Sequence, residues 1–316
     1  MGGRARCVAL MVALYSAAVF VAAVYGVAAP AARADSLLVP NINWTALLPP
    51  AGGTTTAVQP GPVPTCETPT IGCIDTTVDR LQGLRDELGC DHRGVFATTY
   101  LELTKAIRTL LDDEPNIVTD PEYLYTEDAL FANFYFDEIA DWEQGGEVAP
   151  AWRIALHQAE RGQITGAQEM LLGINAHVQN DMPFVIAALG VREPDGDSRK
   201  PDHDAMNEAL NRGYEQVVEA VRARFDPTMS ITNTKLVTLD NIGGLELARI
   251  WRELVWRNAE RLLKAPTEAK RADVARSIEA NAALWAQGIA AVQVPGIRKM
   301  RDDYCAKQLL AGPNPP

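Results

Sequence analysis

His177 and Asp181 are the residues of this sequence best placed to do chemistry. They lie four apart in the stretch 168–189, which otherwise reads as a buried helix. Their side chains therefore stand one above the other on the same helix face. Such a pair has three uses: both groups can ligate one divalent metal, the acid can orient the imidazole, or the two can form a buried structural pair. Asn175 and Asn180 put further polar groups into this apolar stretch, and those are costly unless hydrogen-bonded or bound to something. Asn175 lies about 200° round the helix from His177 at roughly 3.6 residues per turn, so it reaches the cluster only if the helix is distorted. Pro183 supplies a cause. Without its N–H the carbonyl of Gln179 loses a partner, which predicts a kink.

Other candidates lie outside this stretch. The polar loop 190–201 returns the chain across the end of the central helix, so Asp204 could approach Asp181 as a further ligand or a general base. Asp202 caps the helix that follows. Asp91 caps another helix, which leaves His92 on the surface, and His157 reads as an ordinary helix-face histidine. The chain has only four histidines, so any metal site is a mixed His/Asp/Glu set. Trp251, Trp256, Tyr135 and Phe136 read as core aromatics that could also line a pocket. No GxSxG, P-loop, GxGxxG or HExxH pattern occurs, so serine-hydrolase, NTPase and nicotinamide readings have no support.

The elements that must position these groups are helical, because β-branched alternation hardly appears. Periodicity and breakers predict helices over about 75–88, 93–111, 121–142, 150–162, 164–189, 202–225, 245–263 and 268–292. Asp75 and Thr267 are candidate N-caps. The fold expected is all-α, an irregular bundle of about eight helices in one domain over residues 74–308.

The two ends read differently. Val8 to Ala29 is an apolar run preceded by Arg4 and Arg6 and followed by Ala32-Arg33-Ala34, which fits a signal peptide over 1–34 with cleavage after Ala34. An uncleaved anchor is the alternative. Residues 35–73 form a Pro-rich lead-in, and 309–316 a flexible Gly/Pro tail. Cleavage removes three arginines and no acid, so 26 of the 29 basic residues face 41 acidic ones, a formal charge of −15. That balance disfavours nucleic acid and anionic lipid as partners. No second apolar run of membrane length follows. Cys66, Cys73, Cys90 and Cys305 remain in an oxidising compartment, where Cys66–Cys73 and Cys90–Cys305 are the favoured disulfides.

Three segments together carry a family resemblance: Asp91-x-Arg93-x-Val95-Phe96-x-x-x-Tyr100; Trp152-Arg153; and Leu172-Gly173-x-Asn175-Ala176-His177-x-x-x-Asp181-x-Pro183, followed by Asp204. They resemble an uncharacterised exported family common in actinobacteria, domain of unknown function 5995, which implies no activity. A more distant likeness is to the zinc-dependent phospholipase C and single-strand nuclease group, whose zinc sites include a His-x-x-x-Asp on a helix. That group uses several more histidines and a mature N-terminal Trp, whereas this chain would start at Asp35. The likeness implies at most a reduced site of one or two metals.

Two functions follow as expectations for a secreted or envelope protein. One is a metal-dependent hydrolase of phosphoester or lipid-like substrates. In it His177 and Asp181 hold a divalent ion such as zinc, Asp204 is a further ligand or the base, and Asn175 orients substrate. The other is a non-enzymatic, disulfide-stapled protein that binds an envelope component or a small apolar ligand around a buried His177–Asp181 pair.

Overall fold

The computed structural model describes residues 48, 51, 63, 65–229 and 244–311. The signal segment, most of the Pro-rich lead-in and residues 312–316 of the tail lie outside them. Among the described residues every regular element is helical, beside two isolated bridges at Val63–Cys66 and Arg192–Ser198. In chain order these are α1 (Gly72–Leu88), α2 (Gly94–Asp113), α3 (Pro121–Glu143), α4 (Pro150–Arg161), α5 (Gly166–Ile174), a π-helical segment (Asn175–Asp181) and α6 (Met182–Leu189). Then come α7 (Lys200–Ala205), α8 (Asn207–Arg224), α9 (Gly244–Lys264), α10 (Glu268–Ala290) and α11 (Ile297–Ala311). The fold is all-α, as expected.

Residues 166–189 form one rod, α5–π–α6, and it is the hub of the molecule. Helices α2, α3, α4, α9 and α10 all pack on it. Every residue of α6 is buried, so this rod is enclosed all round. Its start is fixed by a capping box. The Thr165 hydroxyl accepts the Gln168 N–H at 3.2 Å, and the Gln168 side chain accepts the Thr165 N–H at 3.0 Å.

The expected disturbance at Pro183 takes the form of a wide turn. The Met182 N–H reaches back five residues to the His177 carbonyl, so residues 175–181 wind as a π-helix. Pro183 then falls in the first turn of α6, where a missing N–H costs least.

Caps follow the sequence in part. Thr267 caps α10 by accepting the Lys270 N–H, and Asp120 caps α3 ahead of Pro121. Asp75 is not a cap: α1 starts earlier, at Gly72, and Asp75 pairs with Arg108 at 2.8 Å. Asp202 is not its own helix's cap either. Its carboxylate accepts the backbone N–H groups of Thr119 and Asp120, at 2.8 and 2.9 Å, and so fixes the start of α3.

Both disulfides are present, Cys66–Cys73 and Cys90–Cys305. The second ties the start of α2 to α11, a helix that the sequence pattern did not announce. Residues 309–311, read as tail, belong to it. Its buried stripe is Ile297, Arg301 and Cys305. A buried arginine at the centre of the stripe breaks the apolar signal.

Candidate functional site

The π turn carries His177 and Asp181 into the core together. His177 Nδ1 lies 2.9 Å from Asp181 Oδ2. The Trp152 indole N–H donates to the same oxygen at 2.9 Å, and the Asn180 amide donates to Oδ1 at 2.8 Å. Indole and amide N–H groups can only donate, so both carboxylate oxygens are acceptors. Nδ1 of His177 therefore carries the proton, and Nε2 carries the lone pair. That Nε2 is buried and has no hydrogen-bond partner among the described residues.

Five aromatic rings enclose the imidazole. Phe131 stacks on it at 3.5 Å between centroids, Tyr100 meets it edge-on at 4.8 Å, and Phe96, Tyr135 and Trp152 stand at 5.9 Å. They come from α2, α3 and α4, three of the helices packed on the hub. Burial in this apolar box lowers the His177 pKa and outweighs the opposing pull of Asp181. His177 is thus a neutral base with a fixed tautomer.

Gly173 makes the box possible. A Cβ there would lie 2.2 Å from Phe96 ring atoms, so only glycine lets that ring rest on the rod.

The other sequence candidates go elsewhere. Asn175 donates to the Ala282 carbonyl at 2.8 Å and accepts from Gln179 at 2.6 Å, so it joins the rod to α10 even though the helix is distorted. Asp204 is exposed on α7, where both carboxylate oxygens take the Lys200 ammonium at 2.8 Å. His203, also on α7, is buried against α9, with Nε2 on the Arg252 carbonyl at 3.1 Å. Trp251, Trp256 and Tyr135 are buried in the core, and Phe136 lies partly buried under Arg80.

These positions test the metal expectation. Both oxygens of Asp181 are already taken by Trp152, His177 and Asn180, and Asp204 points to solvent. Among the described residues no group of three or more His, Cys, Asp or Glu side chains is arranged to hold a metal ion. The donor set at His177 does not fit zinc, which needs three or four converging ligands.

Six residues of the sequence motif meet at the box, Phe96, Tyr100, Trp152, Gly173, His177 and Asp181, joined by Phe131 and Tyr135 from outside the motif. The sequence matches the family of unknown function DUF5995 over residues 74–292, more than half of the chain. The chain belongs to that family. No curated protein and no solved structure matches it.

The DUF5995 domain holds further polar groups that sequence reasoning did not single out. Asp128 lies on α3, one turn before Phe131, and its Oδ2 is buried without a partner among the described residues. Burial raises its pKa to about 7, against the opposing Thr77 hydrogen bond, and it raises Glu127 to about 7 against Arg252. The Tyr100 hydroxyl likewise has no partner among the described residues. Burial, and then the charges of Asp128 and Asp181, hold its pKa well above that of a free phenol.

His92 is also buried, contrary to expectation. Asp91 is not the cap of α2, whose N-cap is Arg93; it accepts the Arg93 N–H at 2.9 Å, and the His92 ring turns inward, between Glu169 at 2.8 Å and Asp302 at 2.9 Å. Burial alone would lower its pKa, but the Glu169 bond and charge prevail and raise it. The signal was Glu169 itself, an acid inside the apolar run around Met170-Leu171-Leu172. Between His92, Arg93 and Glu169 on one side and Phe96, Tyr135 and Trp152 on the other lies a cavity of about 20 Å³. That suffices for one water.

Proposed function

We propose that this protein is an exported helical enzyme in which His177, held by Asp181, acts as general base in the hydrolysis of a small, uncharged, lipid-like ester. The observation that carries this reading is the bare Nε2 of His177, on a ring whose other nitrogen is hydrogen-bonded to Asp181. A buried acceptor left unsatisfied costs about 1–3 kcal/mol, a cost tolerated where the group has a use. The π turn that presents it supports the same reading, since such turns occur often at functional sites.

Nε2 takes a proton from a water within hydrogen-bond reach as the water oxygen adds to the ester carbonyl. The imidazolium returns that proton to the leaving alcohol as the ester C–O bond breaks. Asp181 stabilises the imidazolium and keeps the ring oriented, as the acid does in hydrolytic triads. The five rings favour an apolar, uncharged substrate over a phosphoester. No metal takes part in any step. Export rests on the apolar segment Val8–Ala29 and on the pairing of Cys66, Cys73, Cys90 and Cys305, the four cysteines that follow it.

A second reading is favoured by the depth of His177, which is 2% exposed. In it the dyad is a structural pair within a non-enzymatic protein that binds an envelope component.

Turnover of uncharged carboxylic esters and phosphoesters by the wild type, His177→Gln and Asp181→Asn separates the two. The enzyme reading predicts ester turnover that falls at least about 100-fold in a folded His177→Gln variant. Its rate should rise with pH through a pKa below 6.5 and then stay level. Turnover unchanged in folded His177→Gln, or no ester turnover at all, overturns it.

A further inference from the structure

Arg301 of α11 is 1% exposed, and its guanidinium sits in a socket of four acceptors. Nη1 and Nη2 fork onto Glu169 at 2.8 and 2.6 Å. Nη1 also donates to the Ile164 carbonyl at 2.9 Å and Nε to the Phe225 carbonyl at 3.3 Å, with Asp226 Oδ2 at 3.7 Å from Nε. Two carboxylates and two carbonyls so disposed match a planar fork with five donors, and they do not match a compact ammonium.

Both carboxylates of the socket are also anchored by groups other than Arg301. Asp226 Oδ2 accepts the Gly166 N–H at 2.7 Å, and Oδ1 accepts the Thr228 N–H and hydroxyl at 3.0 and 2.6 Å. Glu169 Oε1 is fixed by His92 at 2.8 Å. Every acceptor lies within the family-matched residues 74–292, and Arg301 lies beyond them. Receptor and occupant therefore belong to different parts of the chain.

We infer that this socket is a preformed receptor for a guanidinium group, intrinsic to the DUF5995 domain, with Arg301 as its occupant in cis. The Cys90–Cys305 disulfide, four residues on, keeps that occupant in place. The inference is independent of the acid–base reading of His177. It reaches the same region, because Glu169 and His92 also wall the cavity beneath the aromatic box.

The test is chemical rescue of the full-length Arg301→Ala variant, oxidised, with methylguanidinium as probe. Urea supplies the shape without the charge, and tetramethylammonium the charge without the fork. Millimolar methylguanidinium should raise the Tm of Arg301→Ala saturably by at least about 4 °C, which neither control should do. The wild type should not respond, and Arg301→Ala/Glu169→Gln should lose the response. N-acetyl-arginine amide binding as well as methylguanidinium assigns the socket to peptide-borne arginine, and its exclusion assigns it to small free guanidines. A folded Arg301→Ala that ignores methylguanidinium, or responds equally to urea, overturns the inference. So does a variant that stays unfolded with the probe present.

Discussion

The indole N–H of Trp152 and the imidazole N–H of His177 end on one atom, Oδ2 of Asp181, each at 2.9 Å. One carboxylate oxygen thereby couples α4 to the π turn of the hub and sets the histidine tautomer. Asp181→Asn places an amide among three donors, and one of them must lose its acceptor. We expect a loss of about 2–4 kcal/mol in denaturant unfolding, the range for breaking a buried charged network. A loss below about 0.5 kcal/mol would show that the carboxylate does not hold this junction.

Gly173→Ala tests the seat of the aromatic box. The added Cβ would meet Phe96 at 2.2 Å, and the ring cannot retreat without disturbing Tyr135 and Trp152, which it touches edge-on. Overpacking of this kind costs about 1–3 kcal/mol. Denaturant midpoints measure it, and the near-ultraviolet circular dichroism of the buried rings should change as well.

Asp128 gives stability a pH dependence with a definite sign. Its folded pKa, about 7, is raised above the unfolded value, so its contribution is complete below the unfolded pKa and is lost as pH rises toward 7. Asp128→Asn keeps the shape of the neutral acid and removes that loss. The variant should be more stable than the wild type at pH 8, by up to about 4 kcal/mol, and nearly equal to it at pH 4. Equal stability at pH 8 would mean that the carboxyl ionises freely in the fold.

The two disulfides should differ in weight. Cys66–Cys73 closes a separation of 7 residues and Cys90–Cys305 one of 215. By chain entropy the first contributes about 2.5 kcal/mol and the second about 5 kcal/mol. Unfolding of Cys66→Ser/Cys73→Ser and Cys90→Ser/Cys305→Ser should show the larger loss in the second pair.

Much of this architecture was legible in the sequence, and the exceptions share a cause. Helical periodicity, prolines and glycines located the eight principal helices, and the clash of polar residues with Pro183 marked the hub. The width of the turn was not legible, because a proline permits either a kink or a π turn and the packing around it decides. Glu169, Asp128 and Arg301 escaped notice, and His92 was placed on the surface, because charged residues are read as surface unless their partners are known. Those partners lie far apart in sequence: Arg301 meets Glu169, and Asp302 meets His92, only after the whole domain has folded. Asp204 illustrates the reverse error. Its spacing after the loop 190–201 allowed an approach to Asp181, but the loop delivers it to Lys200 at the surface.

His177 is a neutral base with its lone pair on Nε2. Nitrogen-15 NMR of the histidine side chains, followed from pH 8 to pH 5, tests it most directly. We expect Nδ1 of His177 to bear the proton, Nε2 to resonate as a bare pyridine-like nitrogen, and the ring to protonate only below its ordinary value of 6.5. Protonated Nε2 at neutral pH, or titration above 6.5, would contradict it.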